Sequence, residues 1–183
     1  MNYHNITKCD FLNGEGVRVV LWISGCSHHC ENCHNPITWD ENGGLPFDEN
    51  AKVELFDALS NPDIDGITFS GGDPLFPKNR AEVGKLIDEI KEKFPQKTIW
   101  LYTGFLWEEV KDLPFIKYID VLLDGKFEPA KFSPNAKWVG SSNQRIIDVK
   151  KSIAQNKVVL YCLTLPEAEL SYSQKSNKIK CDC

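Results

Sequence analysis

The sequence predicts an α/β fold built on a parallel sheet, and three observations carry that expectation. Short apolar runs rich in β-branched and aromatic residues alternate with helical patterns about every 15–30 residues, the rhythm of βαβ units. The run at residues 17–24 is nearly all apolar, as a strand covered on both faces requires. Residues 79–94 place Val83, Leu86, Ile87, Ile90 and Phe94 along one helical stripe, closed by Pro95. A chain of 183 residues, 42% hydrophobic and 26% charged, is long enough for one domain that buries about 70% of its unfolded surface.

Taken in order, residues 1–16 read as an approach loop, with Asn13-Gly14-Glu15-Gly16 as a tight turn leading into the first strand at 17–24. A polar, irregular stretch at 34–48 follows. Asp48 is placed to cap a helix over 50–60 whose inner stripe is Val53, Phe56 and Leu59. The second strand is 64–70, the third 98–102 and the fourth 117–123, with the helix at 79–94 and a short one near 106–112 between them. Residues 128–136 form a proline-bearing connection. Trp138-Val139 suggests a short strand, Ser141-Ser142-Asn143 a helix cap, and Ile146, Val149 and Ile153 a helix, before a last strand at 157–163. Residues 1–165 are thus expected as one domain, and 166–183, rich in Ser, Lys and Glu, as a mobile tail.

The net charge of −5 argues against a general nucleic-acid binder, which would present a basic face. No apolar run approaches the ~20 residues of a bilayer span. Met1-Asn2-Tyr3-His4-Asn5 lacks the charged and apolar regions of a signal peptide. The expectation is a cytoplasmic protein with neither membrane nor nucleic acid as partner. In a reducing compartment seven cysteines, an odd number, point to metal or catalysis before disulfides.

Cys26, Cys30 and Cys33 stand at CxxxCxxC spacing directly after the first strand. Thiolates this close come from a loop that curls around one centre. Four protein thiolates usually complete an iron–sulfur cluster; three leave one iron open to another ligand. Zinc is the alternative, with His28, His29, His34 or Cys9 as a fourth donor.

Parallel sheets bind ligands in the loops at their carboxyl edge. The cysteine loop, Gly71-Gly72-Asp73, Tyr102-Thr103-Gly104 and Asp124-Gly125-Lys126 each follow a strand, so all four loops face one rim. Paired glycines let a ligand approach the backbone. Asp73 and Asp124 suit an ammonium or a ribose hydroxyl, Lys126 suits a carboxylate, and Tyr102 is a candidate rim aromatic. A ligand with amine, carboxylate and nucleoside parts fits this set.

These residues resemble the radical S-adenosylmethionine enzymes, and among them the small glycyl-radical-activating branch that serves anaerobic ribonucleoside-triphosphate reductase. The likeness runs from Met1 to about Arg145. It rests on Met1-Asn2-Tyr3, Asn13-Gly14-x-Gly16-x-Arg18, Ser24-Gly25-Cys26 and Cys33-x-Asn35, then Ser70-Gly71-Gly72-Asp73-Pro74-Leu75, Tyr102-Thr103-Gly104, Asp124-Gly125-Lys126-Phe127 and Gly140-Ser141-Ser142-Asn143-Gln144. The resemblance implies an incomplete (β/α) barrel of about five or six parallel strands. It implies a [4Fe-4S] cluster on Cys26, Cys30 and Cys33 whose fourth iron chelates S-adenosylmethionine. Reductive cleavage of that cofactor would give a 5′-deoxyadenosyl radical, which takes a hydrogen from a glycine of the reductase and leaves a glycyl radical.

By the same resemblance Gly71, Gly72 and Asp73 contact the methionyl amine, Lys126 its carboxylate, and Asn32, Cys33 and His34 lie along the adenosyl side. No catalytic residue is expected beyond the cluster and cofactor, and a flavodoxin or ferredoxin is the expected electron donor. Asn32 and His34 stand where aromatics are common. No further cysteine cluster lies between Cys33 and Cys162, which favours the compact reductase activases over larger relatives with ferredoxin-like insertions. The rivals are a radical enzyme acting on another protein or small molecule, and a zinc-binding interaction module.

Overall fold

A seven-stranded sheet organises the protein, seen in a computed structural model that describes residues 1–162. The strands are β1 (Asn2–Asp10), β2 (Arg18–Ile23), β3 (Leu45–Pro46), β4 (Gly66–Gly71), β5 (Thr98–Tyr102), β6 (Val121–Asp124) and β7 (Arg145–Asp148). The helices are α1 (Glu49–Ser60), α2 (Arg80–Lys93), α3 (Trp107–Val110) and α4 (Val149–Gln155). Sheet order is β3-β1-β2-β4-β5-β6-β7. The pairings β2–β4, β4–β5 and β5–β6 are parallel; those of β1 with β2, β3 with β1 and β7 with β6 are antiparallel.

The expected five or six parallel strands are therefore four, in an open sheet with antiparallel flanks. The turn between β1 and β2 is too short for a parallel crossover, which needs a dozen residues or more. The expected tail, with Cys181 and Cys183, lies outside the described residues.

Alternation along the four parallel strands sorts side chains to two faces. Val19, Leu21, Ile23, Ile67, Phe69, Ile99, Leu101 and Leu122 share one core with Leu55 and Leu59 of α1 and Val83, Leu86, Ile87 and Ile90 of α2. Each such buried side chain stabilises the fold by about 1.5–3 kcal/mol, so α2 is held by packing rather than by propensity. The opposite face carries a smaller cluster of Trp100, Val121 and Leu123, with Tyr102, Trp138, Val139, Ile146 and Tyr161 against it.

Other expectations shift. Asp48 does cap α1, its carboxylate accepting from Ala51 N at 3.0 Å. The buried stripe of α1 is Ala51, Leu55 and Leu59, four residues apart. Val53 is 57% exposed, because three-residue spacing drifts off the face. β1 replaces the expected approach loop; only Ile6 on it is buried, so it shows no strong alternation. The fourth strand starts at Val121, after a single 3-10 turn at Ile116–Tyr118. Residues 145–148 are strand rather than helix, and α4 begins only where the Asp148 carboxylate accepts from Lys151 N. Trp138-Val139 forms no strand. Within 157–162 the expected strand reduces to a bridge between Leu160 and Ile147. Among the described residues no helix is long and apolar enough to cross a membrane.

Candidate functional site

The four loops converge. A cavity of about 510 Å³ at the carboxyl edge is lined by Cys26, Cys30 and Cys33 from the loop after β2, Gly71 and Gly72 at the end of β4, Tyr102, Thr103 and Gly104 at the end of β5, and Gly125 and Lys126 after β6.

The cysteine loop is shaped by its backbone. His29 and Asn32 adopt left-handed conformations, at φ 45° and 56°, which turn the chain between successive cysteines. Gly25 N donates to Thr38 O at 2.8 Å and Cys26 N to Trp39 O at 3.1 Å, so residues 38–39 brace the loop's first arm. All three thiols are free and partly buried. His28 N donates to Cys26 Sγ and Asn35 N to Cys33 Sγ, each at 3.4 Å. Backbone donors of this kind tune iron–sulfur potentials. Burial pushes the Cys26 thiol up, while hydrogen bonds from the His28 and His29 backbone oppose it.

These donors fit an iron–sulfur cluster: three thiols share one cavity wall, and soft sulfur is the donor set that clusters use.

The loop after β4 is locked to the cysteine loop. Gly72 N donates to Ile23 O and Asp73 N to Gly25 O, both at 2.8 Å. A Cβ on Gly72 would lie 2.5 Å from Gly25 O and 2.6 Å from Thr38 O. The space a side chain would need is therefore filled by the neighbouring loop's backbone, where the sequence suggested only room for a ligand.

Asp73 is 1% exposed and faces inward. It accepts from His28 Nε2 at 2.7 Å, Leu75 N at 2.8 Å, Gly104 N at 2.9 Å and Thr103 Oγ1 at 2.9 Å. One carboxylate thus joins the loops after β2, β4 and β5. The His28 ring lies edge-on to Phe105 with centroids 4.5 Å apart, and a Cβ on Gly104 would come within 2.4 Å of it.

Asp124 is likewise fully buried. It accepts from Trp107 N at 2.7 Å and from Arg145 Nε at 3.0 Å. Bonds to Asp124 and Glu108 raise the Arg145 guanidinium above its ordinary range. Lys126 is exposed on the cavity wall. Its carbonyl accepts from Asn143 Nδ2 at 2.8 Å, and the Gly125 carbonyl from Gln144 Nε2 at 3.0 Å. Gln144 Oε1 in turn accepts from Gly140 N and Ser141 N. Ser141-Ser142-Asn143 is therefore no helix cap; it belongs to a clamp on the loop after β6.

Of the expected site residues, Cys26, Cys30, Cys33, His34, Gly71, Gly72, Tyr102 and Lys126 line the cavity. Asn32 is exposed outside its lining, and the Asp73 and Asp124 carboxylates are engaged within the protein. Burial pushes the Tyr102 phenol far up. Sequence reasoning missed Leu12, Trp22, Trp39, Trp138 and Gln144 in the wall. Trp22 had a signal, since it lies an even number of residues from Val20 and Arg18 on a strand; Trp138 had none.

The comparisons with known proteins agree with this geometry. The family described as "4Fe-4S single cluster domain" matches residues 12–147. The "Anaerobic ribonucleoside-triphosphate reductase-activating protein" of Enterobacteria phage T4 is 49% identical over 147 residues, covering 80% of this chain and 93% of that protein. Proteins of the same name from Pasteurella multocida (strain Pm70) and Escherichia coli (strain K12) are 41% and 40% identical, covering 80% and 79% of this chain and 96% of each relative.

Proposed function

We infer the function from a premise the relatives supply: this chain belongs to the family of anaerobic ribonucleoside-triphosphate reductase-activating proteins and carries its 4Fe-4S single cluster domain. It activates an anaerobic ribonucleoside-triphosphate reductase. The observation that carries the chemical reading is the single cavity that brings three free thiols together with loops from four parallel strands. Cys26, Cys30 and Cys33 would hold the cluster, and S-adenosylmethionine would occupy the remainder of the cavity. When bound, the reduced cluster and S-adenosylmethionine supply the radical that removes a hydrogen atom from a glycine of the reductase.

The chain's own residues do the rest. His28 and Asn35 direct backbone N–H groups at two of the sulfurs, those of Cys26 and Cys33. Asp73 keeps three loops in register. Lys126, exposed on the wall and held by its own carbonyl, is positioned for the methionyl carboxylate. Gly71 and Gly72 place backbone at the amine end, beside the thiols. Trp22, Trp39 and Tyr102 exclude water from the site.

The open sheet reads as an incomplete barrel in a domain of residues 1–165. Its uncovered side admits the reductase's glycine loop, which a closed barrel would shut out. A low-potential flavodoxin or ferredoxin is the electron donor, and the cytoplasm the compartment. The test is electron paramagnetic resonance of the reconstituted, reduced protein mixed with its cognate reductase and S-adenosylmethionine. A glycyl-radical doublet is expected. Cofactor cleavage without the doublet would leave the cluster assignment standing and refute the activase reading.

A further inference from the structure

The cavity has two chemically different ends. Register across the sheet aligns Val20, Thr68, Trp100 and Val121 in one row on the face away from α1 and α2. Trp22 and Ser70 lie one row nearer the strand ends, as do Tyr102 and Leu123. The cysteine loop and the glycines lie beyond that row. Trp138 reaches the cavity from the loop between β6 and β7 and packs edge-on against Trp100, with centroids 4.7 Å apart and planes at 81°. It therefore stands over the deeper row, away from the strand ends that carry the thiols.

Trp138 is held there against local preference. Its backbone is left-handed at φ 65°, a rare state for a bulky side chain that persists only where the surroundings enforce it. The loop that presents it is closed by a bridge between Phe132 and Ser141 and by Ser133 N donating to Gly140 O at 3.0 Å. Tyr161 packs on both Trp138, with ring centroids 6.4 Å apart, and Trp100, at 5.3 Å, while Lys137 Nζ lies over the Trp138 ring 4.5 Å from its centroid. The Tyr161 hydroxyl donates to Glu15. Tyr161 lies beyond the stretch 12–147 that the cluster-domain family matches, so this buttress is outside the shared core. Val139 and Gly140 continue the same wall.

We propose that Trp138 is the stacking wall for the purine of the nucleoside ligand in this cavity. The proposal rests on the reading that the cavity takes S-adenosylmethionine, whose amine and carboxylate lie at the thiol and Lys126 end. Stacking is sequence-tolerant but needs a flat partner, and Trp138 supplies one on the wall that Val139 and Gly140 continue, one row deeper than the strand-borne aromatics Trp22 and Tyr102.

The test is equilibrium binding to the anaerobically reconstituted protein, with S-adenosylmethionine and with its two halves, L-methionine and 5′-deoxyadenosine. Trp138→Ala should weaken S-adenosylmethionine about 10–100-fold and 5′-deoxyadenosine similarly, with methionine unchanged; Trp138→Phe should recover most of the loss. An unchanged affinity for S-adenosylmethionine in Trp138→Ala, or an equal fall for methionine and 5′-deoxyadenosine, would overturn the assignment of Trp138 alone. Failure of the unsubstituted protein to bind S-adenosylmethionine would overturn the reading of the cavity, and the proposal with it.

Discussion

Replacing Asp73 with Asn tests whether one buried carboxylate ties the loops together. The carboxylate is 1% exposed and is approached by donors from His28, Leu75, Thr103 and Gly104. An amide keeps one acceptor oxygen and turns the other into a donor. With the amide nitrogen at the Oδ2 position it opposes Gly104 N–H; at the Oδ1 position it opposes Leu75 N–H. The His28 ring and the Thr103 hydroxyl can reverse their roles, but a backbone N–H cannot. At least one buried N–H is orphaned, at about 1–3 kcal/mol, and the remaining bonds lose their charge assistance. We expect a total near 3 kcal/mol, which in a chain of this size lowers Tm by roughly 6–12 °C. The assay is thermal unfolding of the cluster-free protein under reducing conditions, followed by circular dichroism. A double-mutant cycle with His28→Gln should then show coupling of about 0.5–3 kcal/mol. A loss below about 0.5 kcal/mol, the range of ordinary surface changes, would refute the hub and return the carboxylate to the ligand.

Three further outcomes are expected. Cys30→Ser should fold but retain little iron after reconstitution and lose the visible absorption of the cluster, whereas a full complement of iron would mean the thiols were misassigned. Asp120 is opposed by burial, yet hydrogen bonds from Lys150 and Ile99 N, and the charge of Lys91, hold its carboxyl below the ordinary range. Its contribution to stability is thus present above about pH 4 and is lost as pH falls through the depressed folded value; Asp120→Asn should flatten the acid limb of the stability profile, and parallel profiles would refute the pairing. Gln144→Ala removes the side chain that bonds Gly125 O, Gly140 N and Ser141 N. It should weaken binding of S-adenosylmethionine several-fold with cluster iron content unchanged, and equal loss of both would show that the clamp acts on the whole rim.

The parallel centre of the fold was legible because burial on both faces leaves strong marks. β2 is apolar along its length beyond Arg18, and α2 shows its core stripe without ambiguity. The antiparallel flanks were not legible, since β1 buries only Ile6 and β7 only Ile147, and pairing at a sheet edge is decided by neighbours rather than by pattern. The site followed the same division. Loops at strand ends could be placed once the strands were known, so the cysteines, the glycine pair, Tyr102 and Lys126 could be expected on one rim, and they line one cavity. The inward direction of Asp73 and Asp124 could not be read, because it depends on His28, Thr103 and Arg145 meeting them from remote parts of the chain.

The rim is fixed by two devices that share no residue. On the thiol side, Asp73 joins three loops, and His28 ties it to the loop that carries the cysteines. On the lysine side, Asn143 and Gln144 hold main-chain carbonyls of the loop after β6 and leave the Lys126 side chain free. The difference suits the parts they hold. A cluster needs thiols at fixed separations, and a buried carboxylate with several partners is stiff. In the proposed reading Lys126 meets a ligand carboxylate that must enter and leave, and an exposed side chain on a fixed backbone suits that role. Each of the four parallel strands contributes one loop to this arrangement, and the turn between β1 and β2 adds Leu12 and Asn13 to the wall.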